Sequence, residues 1–234
     1  MVGLGTVINM GAVVAGAAVG VGLGGRLPAR VRETVMDGLG LLTFIMGLRM
    51  AFETKQFLIV LGSILLGGLI GEALDIERRL ERFGDRLQAR LASGSGTFST
   101  GFVTASLLFC VGPMAVLGSI EDGLKGSVEI LTVKSILDGF AALAFASTLG
   151  WGVAFSALSL FVYQGALTLG AGFFDRVLSD AMIAEMTAVG GLLVLSIGLR
   201  LLGLREIRTG NLLPSLALAP VLVVVADRAA ALVR

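Results

Sequence analysis

The chain alternates long apolar runs with short charged connectors. Residues 1–25, 91–120 and 139–174 contain no charged side chain. A transmembrane helix needs about 20 apolar residues, so each of these runs can cross a bilayer. The pattern predicts an all-α, polytopic membrane bundle of eight crossings, or seven if the region around Glu121 folds back. The crossings expected around the central region are Val2–Gly24, Thr34–Phe52, Gln56–Ala73, Gly152–Phe173, Ala181–Leu202 and a final one from Asn211 to near Ala226.

One polar segment interrupts the apolar pattern, from Asp75 to Leu91. Its apolar residues recur every three or four positions between charges, which predicts an amphipathic helix on the membrane surface. The sequence ASGSG at 92–96 then predicts a flexible joint. A charged turn is expected over Asp175–Asp180.

The central region, 97–151, carries the most distinctive chemistry. Gly112-Pro113 interrupts the apolar run that ends at Ile120, and a proline there predicts a helix broken inside the membrane, facing protein or water. The next crossing reaches Gly150 and must begin near Ile130 to be long enough. Lys134 and Asp138 therefore lie within it, four residues apart on one face, and are expected to pair.

Two interpretations of this pair remain open at the level of sequence. Opposite charges inside a membrane bundle often mark an ion pathway. They can equally form a structural clamp, or Lys134 can lie at the interface and extend its ammonium group to water.

Composition excludes several function classes. The chain of 234 residues is 56% hydrophobic and 15% charged, with 34 glycines, one cysteine and no histidine. The usual zinc sites, catalytic triads and haem ligation are therefore incomplete. No metal site, cofactor or enzymatic activity is expected. The net charge of +1 favours no particular partner, and without a net basic patch in the polar segment no nucleic-acid partner is expected. Small residues allow close packing of membrane helices, which explains the glycine content.

Glycine spacing predicts an internal repeat. Gly11–Gly16, Gly62–Gly67 and Gly165–Gly170 share one spacing, and GLLTFIMGLR ending at Arg49 matches GLLVLSIGLR ending at Arg200. With two crossings between them, the repeats would be inverted, as in many secondary transporters. The predicted organisation of this single transmembrane domain is 1–74 as the first repeat, 75–96 as surface helix and joint, 97–151 as the broken-helix pair, and 152–228 as the second repeat.

Polar residues in or beside the crossings are the candidates for a transport path. Carboxylate, amide and loosened backbone oxygens suit Na⁺ or a similar cation, whereas Lys134 can attract an anion or titrate against Asp138. Alternatively, the acidic pair at 121 and 122 lies in a wet loop, and the amides serve as interhelical hydrogen bonds or caps. The candidates are Asn9, Glu121, Asp122, Lys134, Asp138, Gln164 and Asn211, with the helix break at Gly112 and Pro113.

The distribution of basic residues predicts orientation. The connectors after the first, third, fifth and seventh crossings carry 11 of the 18 Lys and Arg residues, counting Arg200. Basic connectors are retained in the cytoplasm, so both termini are expected outside the bacterial inner membrane.

Several segments resemble a known family. GTVINMGAVVAGAAVG, SLLFCVGPMAVLGSIEDGL, KSILDGFAALAFASTLGWGVAFSA, YQGALTLGAG and NLLPSLALAP are similar to the bacterial inner-membrane family called domain of unknown function 554, the YqgA and YdfK-like proteins. The resemblance covers essentially the whole chain. It implies a multi-spanning membrane fold and a suggested sodium channel or pump activity, and it supplies no catalytic residues.

Two functions from different classes follow. The first is a transporter or channel for a small ion such as Na⁺, or for a small polar solute. The second is a non-transporting scaffold or regulatory protein, whose glycine faces and surface helix bind a membrane partner. A homodimer is compatible with glycine-rich faces but is not specified by them.

Overall fold

The computed structural model describes residues 2–24, 28–91 and 97–233. Within these ranges the chain forms eleven α-helices and one short 3-10 helix, with no strand. The all-α prediction is therefore confirmed. The helices are α1 (Leu4–Gly24), α2 (Ala29–Ala51), α3 (Phe57–Leu74), α4 (Ile76–Leu91), α5 (Phe98–Cys110), α6 (Pro113–Lys125), α7 (Glu129–Leu149), α8 (Gly152–Leu169), α9 (Ala171–Val177), α10 (Asp180–Leu201) and α11 (Pro214–Val233), and the 3-10 helix is Thr209–Leu212.

α1 and α7 pack side by side and in parallel, which defines the two faces of the bundle. Along this contact Gly5 faces Leu131, Gly16 faces Gly139 and Gly24 faces Ser147. We call the end where α1 and α7 begin the N-terminal face. The opposite end is the arginine face, where Arg32 of α2 donates to the backbone oxygen of Thr148, 2.8 Å away.

The described residues contain seven spans that are long and apolar enough to cross a membrane, and α5 and α6 together form a bent eighth, with 63° between them. Thr97, which precedes α5, donates to the backbone oxygen of Leu149 at the arginine face. Asp122, near the end of α6, accepts from the backbone nitrogens of Gly3 and Gly5 at the N-terminal face. The two ends of the bent pair therefore lie at opposite faces, which favours eight crossings over seven.

α2 and α10 pack closely and antiparallel through glycine. A Cβ added to Gly47 would lie under 3.0 Å from the backbone of Leu195, and one on Gly198 would lie equally close to the backbone of Phe44. The contact is reciprocal, because each helix presents a glycine to the main chain of the other. Neither glycine can be enlarged without moving the helices apart.

Three predicted boundaries were wrong. The second crossing begins at Ala29, earlier than the predicted Thr34, because Pro28 fixes the backbone for the first turn. The sixth ends at Leu169, before the predicted Phe173, and the expected charged turn from Asp175 lies partly in the short helix α9. α11 continues to Val233, beyond the predicted Ala226.

The amphipathic helix predicted from Asp75 is present as α4. Phe83 of α4 packs against Phe102 of α5, with ring centroids 5.9 Å apart, so the apolar side of α4 lies against the bundle. The joint predicted at 92–96 lies outside the described residues.

Glu77, in the first turn of α4, ties this surface helix to the start of α11. Its carboxylate accepts from the backbone nitrogen of Gly210 and lies 3.4 Å from the guanidinium of Arg200. Asn211 completes the contact by accepting from the backbone nitrogen of Glu77 at 2.8 Å. Burial raises the pKa of Glu77 above its ordinary value, against the opposing effects of the Gly210 hydrogen bond and Arg200.

This raised pKa predicts a pH dependence of stability. The folded protein binds the Glu77 proton more tightly than the unfolded chain, so the free energy of unfolding should fall as pH rises from the ordinary pKa to the raised one. Glu77→Gln should remove this part of the slope. Thermal unfolding of both proteins across pH 4–8 in one detergent checks the expectation, and identical slopes would contradict it.

Candidate functional site

The buried polar centre of the bundle is built on α1, α7 and α8. Lys134 and Asp138 form a salt bridge one turn apart on α7, which confirms their predicted pairing, and are only 6% and 8% exposed. Asn9 of α1 donates from Nδ2 to Asp138 Oδ2 at 3.0 Å. The same amide lies 3.5 Å from the Oε1 of Gln164 on α8. We call these four residues the central cluster.

The central cluster is buried between helices. Asn9 and Gln164 are fully buried, so the cluster does not face lipid. A buried charge is tolerated when it is paired and hydrogen-bonded, and each of these conditions holds for Asp138. Lys134 does not extend its ammonium group to water at the interface, because this group donates to Asp138 inside the bundle.

The broken crossing lies beside the cluster and borders a cavity. A space of about 310 Å³ is lined mainly by apolar side chains, among them Cys110, Val111 and Gly112 at the end of α5. Tyr163, which precedes Gln164 on α8, lines it too. The last backbone hydrogen bond of α5 runs from the Val111 nitrogen to the Leu107 oxygen at 2.9 Å, and Pro113 then starts a new helix at a 63° angle.

Gly112 makes this break possible. It adopts φ +152° and ψ 151°, a conformation that is essentially confined to glycine. No other group lies within 4 Å of the position that a Cβ would take, so only the backbone angle opposes a side chain.

Gly112→Ala should therefore lower the free energy of unfolding by about 1–3 kcal/mol through backbone strain alone. Gly165→Ala is the matched control, because Gly165 is helical and also has open space at its Cβ position. Thermal unfolding in detergent compares the two. Equal stability of both variants would contradict the strained break.

Asp122 lies apart from the central cluster and caps α1. Its two carboxylate oxygens accept from the backbone nitrogens of Gly3 and Gly5, 3.1 and 3.0 Å away, and its side chain is fully buried. A carboxylate at a helix N-terminus accepts hydrogen bonds from the free N–H groups there. Its negative charge also interacts favourably with the positive end of the helix dipole. Asp122 is thus not in a wet loop, which was one of its predicted placements.

Glu121 and Asn211 are not brought to the centre. Glu121 is partly exposed and forms a surface salt bridge with Lys125 at 3.3 Å. Asn211 lies at the arginine face, where its Nδ2 donates to Glu72 at 2.6 Å. Of the seven candidates, the structure places four together, one at the N-terminus of α1 and two elsewhere.

Glu185 is a buried acid that the sequence patterns did not single out. One oxygen accepts from the backbone nitrogens of Lys55 and Gln56, at 2.8 and 3.0 Å, and the other accepts from the Thr54 hydroxyl at 2.6 Å. It thereby holds the connector that leads into α3. No sequence pattern marked Glu185 as a binding residue, because its partners lie about 130 residues away in the chain.

Glu185→Ala should leave the donors of this connector unpaired and lower the free energy of unfolding by roughly 1–3 kcal/mol. Glu185→Gln retains an acceptor oxygen and should cost less. The control is Glu53→Gln, because Glu53 is an exposed acid in the connector that Glu185 binds. Unfolding midpoints in detergent rank the three variants. A loss as large for Glu53→Gln as for Glu185→Ala would contradict the assignment.

The described residues contain no group of three or more His, Cys, Asp or Glu side chains that could hold a metal ion. Fold and site together define a polytopic α-helical membrane protein with one broken crossing and a buried ion pair. Residues 4–224 match the model of the family described as "Protein of unknown function (DUF554)". The chain belongs to this family, as its sequence resemblance indicates.

Two relatives align over nearly the whole chain. The "Uncharacterized membrane protein YdfK" of Bacillus subtilis (strain 168) is 32% identical over 225 residues, which cover 94% of this chain and 96% of the relative. The "Uncharacterized protein YqgA" of Escherichia coli (strain K12) is 32% identical over 221 residues, 92% of this chain and 94% of the relative. No solved structure matches the chain.

Proposed function

We propose that this protein is a transporter or channel for a small ion such as Na⁺, or for a small polar solute. The observation that carries the proposal is the central cluster, an ion pair with two amides, buried between α1, α7 and α8. Ionisable groups inside a membrane bundle are costly and commonly mark ion or substrate pathways. A crossing that is broken beside such a group is a recurrent feature of transporter sites.

The contacts of α2 with α10 support the proposal of inverted repeats. The matching segments place Gly47 beside Gly198 and Phe44 beside Leu195 in alignment, and the structure pairs Gly47 with Leu195 and Gly198 with Phe44. Such exchanged contacts are expected when an approximate two-fold axis relates two antiparallel helices. We infer that α1–α3 and α8, α10 and α11 are related in this way.

We further propose an orientation in a bacterial inner membrane. By sequence, 11 of the 18 Lys and Arg residues of the chain belong to the connectors of the arginine face, to the surface helix α4, or to the adjoining first turn of α2 and last turn of α10. The positive-inside rule then places this face in the cytoplasm and both termini outside.

The test is a fluorescence screen of cation, anion and amino-acid flux in proteoliposomes. Wild-type protein is compared with heat-inactivated protein and with empty vesicles. Flux of one solute class above both controls supports transport. Folded protein that moves none of the tested solutes, and that co-purifies with a stoichiometric membrane partner, would support the scaffold function.

A further inference from the structure

Eight buried side-chain polar atoms have no hydrogen-bond partner among the described residues, and five of them lie on α1, α6 and α8. Two of these five belong to the central cluster, Asn9 Oδ1 and Gln164 Nε2. The rest of the five are hydroxyl oxygens of Thr6, Ser119 and Thr168, which are at most 4% exposed. The other three of the eight atoms are the hydroxyls of Ser63, Ser99 and Ser215, on α3, α5 and α11.

Several further buried hydroxyls, on α7 and α8, bond instead within their own helix. Ser156 of α8 donates to the backbone oxygen of Val153 at 2.6 Å, and Ser147 and Thr148 of α7 likewise donate to oxygens one turn earlier. A helix offers each serine and threonine beyond its first turn this local acceptor. Ser119 and Thr168 do not use it, and Thr6 has no residue of α1 three or four positions before it, so all three hydroxyls remain free for other partners.

The five atoms lie on three helices that adjoin one another. Thr6 lies one turn before Asn9 on α1, and Thr168 lies one turn beyond Gln164 on α8, each nearer the N-terminal face. Ser119 lies one turn before Gly123, where an added Cβ would touch the backbone of Thr168. The 3.5 Å approach of Asn9 to Gln164 joins α1 to α8, and the contact of Gly123 with Thr168 joins α6 to α8, so the free polar groups lie on adjoining helices.

The arginine-face half of α1, α7 and α8 is mainly apolar, and its buried hydroxyls at Ser147, Thr148 and Ser156 are bonded within their own helices. Its buried core is formed by α1, α2, α5, α7 and α8 and includes Val13, Ala17, Phe109, Phe145 and Leu160. These side chains are at most 2% exposed. On α1, α7 and α8 the described residues of this half include no buried side-chain polar atom without a partner.

We propose that Thr6, Ser119 and Thr168, with Asn9 and Gln164, form a polar access path from the N-terminal face to the Lys134–Asp138 pair, and that this path binds water and small hydrogen-bonding solutes. Buried polar groups are satisfied by water where the protein supplies no partner, and such water makes about three hydrogen bonds. The apolar core closes the path towards the arginine face. Passage of a transported solute along the path rests on the function proposed above, whereas its hydration does not.

The path is tested by cysteine accessibility in a Cys110→Ala background. Thr6→Cys, Ser119→Cys and Thr168→Cys are treated with the membrane-impermeant reagent 2-(trimethylammonium)ethyl methanethiosulfonate in spheroplasts and in inverted vesicles. Ser156→Cys is the matched control, a buried hydroxyl position on α8 that bonds to its own helix. Lys125→Cys and Arg208→Cys report the N-terminal and arginine faces, since both side chains are exposed.

The path residues should react about tenfold faster than Ser156→Cys, because the reaction needs a hydrated thiolate. They should do so only in the preparation that labels Lys125→Cys. Labelling after denaturation in SDS confirms that every thiol can react, and size-exclusion profiles confirm folding.

Reaction as slow as that of Ser156→Cys in folded protein, or reaction from the side that labels Arg208→Cys, would overturn the path. If the path residues are labelled but no flux is measured, the path stands and the transport function is contradicted. If flux is measured but the path residues are not labelled, transport stands and the path is contradicted.

Discussion

Asp138→Ala is expected to lower the free energy of unfolding by about 3–5 kcal/mol. The change leaves the Lys134 ammonium group without its anionic partner in a position that is 6% exposed. Breaking a buried ion pair on one side costs this much because an unpaired charge stays buried. It also removes the acceptor of Asn9 Nδ2, 3.0 Å away. Unfolding by SDS titration in mixed micelles measures the loss.

Replacing both partners by Leu should recover most of this stability, since apolar residues of similar volume often substitute a buried pair without net cost. Glu121 and Lys125 form the matched control, because they have the same spacing of four residues at the surface. Glu121→Gln with Lys125→Gln should change the free energy of unfolding by at most about 1 kcal/mol. A double Leu variant no more stable than Asp138→Ala would contradict the account of the pair.

Gly16→Val is expected to prevent the close packing of α1 on α7. An added Cβ would lie under 3.0 Å from the carbonyl oxygen of Gly139, a backbone atom that cannot turn aside. Overpacking typically costs about 1–3 kcal/mol and occasionally more, and a main-chain clash belongs at the upper end. The helices must separate, which also pulls Asn9 away from Asp138. Yield of monodisperse protein in detergent and its thermal midpoint measure the effect.

Gly11→Val on the same helix is the control. No group lies within 4 Å of the Cβ position of Gly11, so the same substitution should be tolerated there. Both variants carry the same change in helix propensity, and the difference between them isolates the contact with α7. Equal loss at both positions would show that propensity, and not packing, decides the outcome.

Apolar runs and charge spacing predicted most of the fold, because both act locally. A charge-free run of membrane length must be helical, and the four-residue spacing placed Lys134 and Asp138 on one side of α7. Gly112-Pro113 likewise marked the break between α5 and α6. The internal repeat and the role of the pair in transport stay predictions.

The remaining features depend on contacts between distant parts of the chain. Asp122 meets Gly5 across 117 residues and Glu185 meets Lys55 across 130. No periodic pattern connects such residues, so an acid that caps a helix looks the same in sequence as one that lines a path. Asn211 illustrates the converse, since a polar residue at the start of a crossing proved to bind α4 at the arginine face.

The most direct test of the central claim is flux through the folded double variant Lys134→Leu/Asp138→Leu. It is reconstituted beside wild type and beside Glu121→Gln/Lys125→Gln, with the solute that the wild-type screen identifies. If the central cluster is the transport site, wild type and the surface variant transport alike, while the central variant folds and transports nothing. Wild-type flux through the central variant would contradict the account, because a path without its buried charges would then suffice.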